Sequence, residues 1–161
     1  MPVEMTVKGL MLDPNTHGPI VILKDADSER ALPIWINMAE ASAIASQIEN
    51  IPTARPMTHD LLRNVITNLD GQVERVVVSD IRESVFYARI HLLVRGEPVV
   101  IDSRPSDAIA LALRTRAPIL VEEHVLESAE GSDTGSEPSE DERLQKWLEG
   151  LDPDALGKYK M

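Results

Sequence analysis

The sequence places polar groups that could do chemistry at the starts of two predicted helices. The first group is Thr58-His59-Asp60, at the beginning of a helix predicted over Thr58–Leu69. Histidine is not a preferred first-turn residue, so the pair His59-Asp60 is a candidate for chemistry. The alternative is a structural role, in which Thr58 is an N-cap, Asp60 complements the helix dipole and His59 merely occupies the first turn.

The second group is the run from Asp102 to Asp107, where two acids, two serines and one arginine precede an apolar helix. Capping explains part of this composition, because Ser103 fits an N-cap, Pro105 fits the first helical position and Asp107 complements the dipole. Capping needs one hydroxyl and one acid, so the surplus indicates a site. Arg104 could hold a phosphate oxygen, or it could form a structural ion pair with the neighbouring acids.

Three acids of these groups could bind a divalent cation: Asp60, Asp102 and Asp107. Carboxylate and water oxygens are the ligands that Mg²⁺ and Mn²⁺ prefer. Such a site requires the two helix starts to lie side by side. A related pair of helices around a pseudo-twofold axis would bring them together.

A third candidate is the polar face of a strand predicted over Val85–Arg95. Strict alternation puts the apolar side chains of this strand on one face. The opposite face carries Tyr87, Arg89, His91 and Arg95. An aromatic ring among arginines is typical of a local nucleic-acid surface. The alternative is a solvated face that pairs with acids on neighbouring strands.

The elements that position these residues alternate strands and helices in a repeated order. The first half is predicted to contain strands Val3–Leu12, Pro19–Lys24 and Arg30–Ile36, a helix from Asn37 to near Ile51, and the helix Thr58–Leu69. The second half is predicted to contain strands Gln72–Ser79, Val85–Arg95 and Pro98–Asp102, the helix Ser106–Thr115, and a short strand Ile119–Val121. We therefore predict an α+β fold with a duplicated β-β-β-α unit, in which helices pack on antiparallel-rich sheets.

Composition excludes several classes of protein. The chain has 161 residues, no cysteine and a net charge of −11. Disulfide scaffolds and thiolate zinc sites are therefore excluded. Residues 1–127 carry 12 basic and 18 acidic side chains, so nucleic-acid binding would need a local basic patch. The sequence has no apolar run long enough to span a bilayer and no signal-peptide pattern, so we expect a cytoplasmic protein.

Three segments are predicted along the chain. Residues 1–127 form one domain, and residues 128–141 (SAEGSDTGSEPSED) form a flexible acidic linker. Residues 142–161 contain a short amphipathic helix and a tail. The apolar positions of that helix are Leu144, Trp147, Leu148 and Leu151. It docks on the main domain or on a protein partner, or else it is a solubilising tail.

Three motifs together resemble the bifunctional nuclease domain family. They are LPIWINMAEASAIA, RPMTHDLL and VVIDSRPSDAIALALR, and the resemblance covers residues 3–127. The tail WLEGLDPDALGKYKM also resembles the C-terminal segment of some bacterial members. Members of this family are described as cleaving DNA and RNA. The prominent polar positions of the family correspond here to Thr58, His59, Asp60, Asp102, Arg104, Ser106 and Asp107.

The resemblance implies a nuclease that acts on DNA and RNA. It supplies no mechanism, and the carboxylates named above are the reason to expect assistance by a divalent metal, Mg²⁺ or Mn²⁺. The candidate catalytic residues are His59, Asp60, Arg104, Ser106 and Asp107. The alternative is a non-catalytic oligomeric scaffold that binds a protein partner through its acidic surface and C-terminal helix. In both cases we expect a homo-oligomer, with a dimer as the first hypothesis, because the consecutive Val76-Val77-Val78 cannot all face one core.

Overall fold

The computed structural model describes residues 1–130. The strands are β1 (Val3–Leu12), β2 (Pro19–Asp25), β3 (Ala31–Trp35), β4 (Gly71–Arg82), β5 (Val85–Val94), β6 (Glu97–Ser103) and β7 (Ile119–Val121). The helices are α1 (Met38–Ile48), α2 (Thr58–Asn68), α3 (Pro105–Thr115) and α4 (Glu123–Glu130). The helix predicted within residues 142–161 lies outside the described residues, as does most of the predicted linker.

One mixed sheet carries these seven strands in the order β3-β2-β1-β7-β4-β5-β6. The strands β1, β2 and β3 form one antiparallel meander, and β4, β5 and β6 form a second. Between them lies β7, which is antiparallel to β1 and parallel to β4. The predicted α+β class is confirmed, and the β-β-β-α order occurs twice, with α1 after β3 and α3 after β6.

Helix α3 lies at the centre of the helical layer. It packs on β4 and β5 and contacts both α1 and α2. Its residues Ile109 and Leu111 are fully buried, and burying each of these side chains stabilises the fold by about 1.5–3 kcal/mol. Small side chains on both helices, such as Ala41 of α1 and Ala108 of α3, are also buried. This packing fixes the start of α3 relative to α1 and α2.

The alternation predicted for β5 is confirmed. Ala88, Ile90 and Leu92 are buried in the core, and Arg89 is exposed on the opposite face. This pattern gives the sheet one apolar face under the helices and one face with polar side chains.

The neighbouring strand β4 is buried on both faces. Val76 and Val78 belong to the main core, whereas Val77 is the register partner of Arg89 and lies on the other side of the sheet. A second, small cluster of buried residues consists of Met11, Ile20 and Ile22. The expectation that the three consecutive valines do not face one core is therefore confirmed.

Helix α4 differs from the sequence prediction. It buries Val125 and Leu126 and runs to Glu130, so it includes the first three residues of the segment predicted as a linker. Two apolar residues among small and acidic ones give too little periodicity to predict a helix. None of the helices within residues 1–130 has the length and apolar character required to span a bilayer.

The sheet edge formed by β6 is apolar and exposed. Val99, Val100 and Ile101 are all exposed, although they alternate between the two faces of the strand. Helix α2 buries none of its residues fully, and Leu61 and Val65 are exposed on it. An apolar edge strand with free backbone groups is a template for pairing with another chain.

We predict that the protein forms a homodimer in which the β6 strands of two copies pair. Val100→Lys should convert the dimer to a monomer, because a lysine on an edge strand opposes such pairing. Light scattering on the purified protein at tens of micromolar measures the mass. The matched control is Val85→Lys, since Val85 is 55% exposed and Val100 is 54% exposed. A monomer mass for the unmodified protein would contradict the prediction.

Candidate functional site

Four charged or polar side chains form a continuous chain of contacts at the starts of α1, α2 and α3. Glu40 of α1 accepts a hydrogen bond from Arg104, with 2.7 Å between Oε1 and Nη1. Arg104 Nε donates to Asp107 Oδ2 at 2.9 Å. The other carboxylate oxygen, Asp107 Oδ1, lies 2.9 Å from His59 Nε2. The two helix starts singled out in the sequence therefore meet in space.

The electrostatics of this chain of contacts keep the Asp107 carboxylate ionised. Burial alone would raise the pKa of Asp107, but hydrogen bonds from Arg104 and His59 outweigh it and lower that pKa. The hydrogen bond to Asp107 and the contact with Glu40 raise the pKa of Arg104. The His59 side chain is 13% exposed, whereas that of Arg104 is 60% exposed. The site therefore combines a shielded imidazole with an accessible guanidinium.

A second ion pair lies directly beside this chain. Arg114 Nε donates to Asp60 Oδ1 at 2.8 Å, and the Arg114 side chain is only 1% exposed. Its Nη1 and Nη2 atoms donate to the backbone carbonyl oxygens of Ala110 (2.9 Å) and Ala43 (3.0 Å). One guanidinium therefore ties α3 to both α1 and α2.

The caps of α2 and α3 differ from those predicted. The N-cap of α2 is Met57, not Thr58, and its backbone N–H donates to Asp60 Oδ2 at 3.0 Å. The N-cap of α3 is Arg104, not Ser103, whose hydroxyl donates to the Arg104 carbonyl oxygen at 2.7 Å. At α2, the third helical residue supplies the carboxylate that satisfies the backbone. A side chain at the N-cap is therefore not required for that contact.

Asp102 lies apart from the other candidate acids. It is the register partner of Arg89 across β5 and β6, on the face of the sheet away from the main core. There it lines a cavity of about 340 Å³ together with Tyr87, Arg89 and His124. Only Ser103 lies between Asp102 and Arg104 in the chain, so this cavity and the chain of four side chains flank the same end of β6.

The polar face predicted on β5 is divided by the structure. Tyr87 and Arg89 line the cavity beside Asp102, and His91 lies further along the same strand. Burial, together with the positive charges of Arg75 and Arg89, lowers the pKa of His91.

Arg95 lies outside the strand face on which it was predicted, whereas Ser106 lies near the predicted start of its helix. Arg95 lies in the β5–β6 turn with a positive φ of 52°, and its Nε is 3.8 Å from Asp70 Oδ2. Its side chain therefore belongs to the turn rather than to the strand face. Ser106 is buried in the first turn of α3.

The three acids predicted to bind a metal do not form one cluster. Asp60 and Asp107 use both carboxylate oxygens in hydrogen bonds to protein groups, and Asp102 lies on the other face of the sheet. Within residues 1–130 no group of three or more His, Cys, Asp or Glu side chains is placed to hold a metal ion. The arrangement described here does not fit a carboxylate metal site.

Two residues of the site were missed by the sequence interpretation. In the sequence Glu40 looks like an ordinary acid of the first turn of α1, where a negative charge stabilises the helix through its dipole. Its Oε2 atom is buried without a hydrogen-bond partner in the described part of the chain. Arg114 offered a usable signal: it is a charge that follows a fully apolar run in a helix predicted to be buried, and a buried charge needs a partner.

The geometry can support proton transfer beside a bound anion. The Nε2 atom of His59 is engaged by Asp107, so Nδ1 is the ring nitrogen that would exchange a proton. A carboxylate that holds one imidazole nitrogen orients the ring and stabilises its charged form. Arg104 supplies a positive charge that is accessible to a negatively charged group. Together these residues place a positioned imidazole beside a cation that an anionic group can reach.

Comparison with known proteins gives a family-level match. The model of the bifunctional nuclease domain matches residues 21–133 of this chain. That range includes all four residues of the contact chain.

Individual relatives fall into two groups. An uncharacterized protein of Mycobacterium tuberculosis (strain H37Rv) is 36% identical over 160 residues, covering 94% of this chain and 96% of the relative. Bifunctional nuclease 2 of Oryza sativa subsp. japonica is 29% identical over 118 residues, covering 71% of this chain and 36% of the rice protein. Bifunctional nuclease 2 of Arabidopsis thaliana is 26% identical over 112 residues, covering 68% of this chain and 34% of the relative. The chain thus spans about a third of these two plant proteins.

We predict that Arg114→Met lowers the free energy of unfolding by about 3 kcal/mol at neutral pH, because it leaves a carboxylate without its partner in a largely buried place. Urea unfolding followed by circular dichroism measures this change. The matched control is Arg95→Met, which removes an exposed arginine and should cost less than about 0.5 kcal/mol.

The same variant should show a defined pH dependence. Burial would raise the pKa of Asp60, but the Met57 N–H and Arg114 lower it below 3.8. A lowered pKa stabilises the fold above that value, and this stabilisation is lost as the pH falls below it. The difference between the unmodified protein and Arg114→Met should therefore shrink in acid. A difference that stays constant on acidification would show that lost packing, not charge, is the cause.

Proposed function

Because the chain belongs to the bifunctional nuclease domain family, we propose that it is a nuclease that hydrolyses phosphodiester bonds in DNA and RNA. The observation that carries this proposal is the contact between His59 and Asp107, with Arg104 bound to the same carboxylate. Hydrolysis of a phosphodiester needs an activated water, stabilisation of charge on the phosphate, and protonation of the leaving oxygen. The three residues have the chemistry for the first two of these tasks.

In the proposed mechanism, His59 is the general base and Asp107 is its positioning residue. Nδ1 of His59 takes a proton from a water molecule, and the water oxygen forms a bond to phosphorus. The bond from phosphorus to the opposite, leaving oxygen then breaks. That oxygen takes a proton from solvent water, and the imidazolium of His59 returns its own proton to solvent. Asp107 stabilises the imidazolium in between, as a carboxylate does beside a catalytic histidine.

Arg104 is proposed to stabilise the negative charge that builds up on the phosphate. A guanidinium can make two parallel hydrogen bonds to phosphate oxygens. Asp107 binds Nε and Glu40 binds Nη1 of Arg104, so the guanidinium is already held in place and little reorganisation is needed when a phosphate arrives. This preorganisation is the main source of electrostatic catalysis.

The nucleic-acid strand is proposed to continue across the end of β6 to the cavity that contains Tyr87 and Arg89. Tyr87 offers a ring for base stacking, and Arg82 lies 4.9 Å from its centroid. Arg89 is exposed and is the cation of this cavity that pairs with no carboxylate in the described residues.

Dependence on Mg²⁺ or Mn²⁺ stays a prediction from the sequence. Assays of cleavage with Mg²⁺, with Mn²⁺ and with EDTA test it directly. Cleavage that persists in EDTA would support a mechanism carried by His59, Asp107 and Arg104 alone.

A non-catalytic scaffold is the second candidate function. The exposed apolar residues of α2 and of the β6 edge favour it, because such surfaces mark protein interaction sites. The net charge of −11 also favours a protein partner over nucleic acid. The absence of cleavage of supercoiled plasmid and of RNA by pure protein would make this the leading function.

We predict that His59→Ala and Asp107→Asn each reduce cleavage at least about 100-fold, the lower end for general acid–base catalysis. Both variants should stay folded, with thermal midpoints within a few degrees of the unmodified protein. The matched control is His17→Ala, because His17 lies in the exposed β1–β2 turn. Undiminished cleavage by both folded variants would point to a contaminating nuclease or to another site.

We also predict that Arg89→Ala weakens binding of a single-stranded oligonucleotide and makes the affinity depend less steeply on salt. Losing one phosphate contact should lower the slope of log affinity against log salt by about 0.7. Arg95→Ala is the control, since it removes the same charge from the β5–β6 turn. Equal losses in the two variants would indicate a general charge effect rather than a contact at the cavity.

A further inference from the structure

A second cavity is lined in part by the Asp60–Arg114 ion pair. It has a volume of about 320 Å³ and is bounded by the C-terminal half of α1, the segment 51–57 and the first turns of α2. Its charged lining consists of Arg55, Arg63, Arg114 and Asp60. Asp60 is the one carboxylate of this lining, and it is already bound to Arg114 and to the Met57 N–H.

The arginines of this cavity stand out among the cations of the chain. Of the 12 lysines and arginines within residues 1–130, seven have a carboxylate oxygen within 4.0 Å in that part of the chain. The five that have none are Lys8, Arg55, Arg63, Arg89 and Arg116. Two of these five line this one cavity.

Two free guanidinium groups in one concave site are unexpected on an acidic protein. The described domain has many more carboxylates than cations, so an arginine that served only structure or solubility would readily find an acidic partner. Arg63 donates to the side-chain oxygen of its neighbour Asn64, at 3.3 and 3.4 Å. Its charge also helps to lower the pKa of Asp60, although no carboxylate oxygen within residues 1–130 lies within 4.0 Å of it. The one carboxylate of the lining, Asp60, is bound to Arg114 and to the Met57 N–H. Two neighbouring arginines that form no ion pair suit phosphate, whose oxygens match the planar fork of a guanidinium.

The cavity also lies next to the proposed catalytic residues. His59 and Asp60 are consecutive, and His59 turns to Asp107 while Asp60 turns to Arg114 at the cavity wall. Arg114 is buried and uses all its nitrogens on protein groups, so it forms a rigid wall of the cavity. Arg55 and Arg63 remain available to a ligand.

We propose that Arg55 and Arg63 form a phosphate subsite, which holds a second phosphate of the nucleic-acid strand whose neighbouring phosphodiester lies at His59 and Arg104. This inference rests on the proposed nuclease function for the identity of the strand. The phosphate subsite itself rests on the cavity and its free arginines.

The first experiment measures binding of a fluorescein-labelled single-stranded oligonucleotide by fluorescence anisotropy, in EDTA. The double variant Arg55→Gln/Arg63→Gln should raise the Kd at least about 10-fold and lower the salt slope by about 0.7 for one phosphate. The matched control is Lys8→Gln/Arg116→Gln, which removes two other unpaired cations from outside the cavity lining and should change the Kd less than about twofold. Equal effects of the two double variants would overturn the subsite.

The second experiment distinguishes the strand from a free phosphate as the ligand. The thermal midpoint is measured with inorganic phosphate and with chloride at equal ionic strength, since a ligand of the folded state raises the midpoint. The proposal is supported if phosphate stabilises the unmodified protein and the Arg55→Gln/Arg63→Gln variant loses both this stabilisation and its affinity for the oligonucleotide. Loss of the phosphate effect alone, with oligonucleotide binding unchanged, would assign the cavity to a free phosphate and overturn it.

Cleavage assays separate this inference from the proposed function. If no nucleic acid is cleaved but only the cavity variant loses oligonucleotide affinity, the nuclease proposal fails and the phosphate subsite stands. If cleavage depends on His59 while the cavity variant binds and cleaves normally, the subsite fails and the nuclease stands. The variant Arg55→Lys/Arg63→Lys keeps the charge but lacks the guanidinium. A folded lysine variant that binds as weakly as the glutamine variant would identify the guanidinium fork as the recognition element of the subsite.

Discussion

The guanidinium of Arg114 is the contact on which the arrangement of the site depends. It is buried, and its three nitrogens bind Asp60 of α2, the carbonyl oxygen of Ala43 in α1 and that of Ala110 in α3 itself. A buried charge is costly unless it is paired and hydrogen-bonded, so the three helices can pack in few other ways. The Glu40–Arg104–Asp107–His59 chain draws one or more side chains from each of these helices. The geometry of this chain of contacts therefore depends on the Asp60–Arg114 ion pair, which is not one of its members.

Neighbouring polar residues at the helix starts bind different partners, which explains why so many polar residues occur there. Asp60 satisfies the Met57 N–H and Arg114, and it leaves the adjacent His59 free to bind Asp107. At the start of α3, Pro105 takes the first helical position, where it has no N–H to satisfy. Asp107 is thereby available to both Arg104 and His59. The polar residues that exceed the needs of capping are the ones that connect the helices.

Local periodicity was sufficient to predict most of the fold. The alternation of Ala88, Ile90 and Leu92 with exposed residues identified β5, and the apolar run from Ala108 to Leu113 identified a buried helix. The repeated β-β-β-α order followed from the same patterns. Helix α4 was missed because Val125 and Leu126 gain their burial from the rest of the domain, which a local pattern does not contain.

The site was predictable only in part, because its partners come from distant segments. The types and positions of His59, Arg104 and Asp107 indicated chemistry. Their contacts could not be predicted, because His59 and Asp107 lie 48 residues apart in the chain. Asp102 shows the opposite case. It lies near Arg104 in sequence, yet strand alternation turns it to the other face of the sheet. Proximity in sequence therefore suggested one acidic cluster where the fold forms two separate sites.

The charge distribution reconciles an acidic protein with a polyanionic substrate. Net charge governs long-range attraction, which is screened within about 10 Å at ordinary salt concentrations, whereas a bound phosphate responds to the groups that touch it. Most cations of the described domain are neutralised by nearby carboxylates, and Arg55, Arg63 and Arg89 are among the few that are not. These three arginines line the two cavities that flank the His59–Asp107 pair and the end of β6. Three of the four arginines without a carboxylate partner within residues 1–130 line these two cavities. This distribution would disfavour nonspecific adsorption of nucleic acid to the acidic body and retain contacts at the site itself.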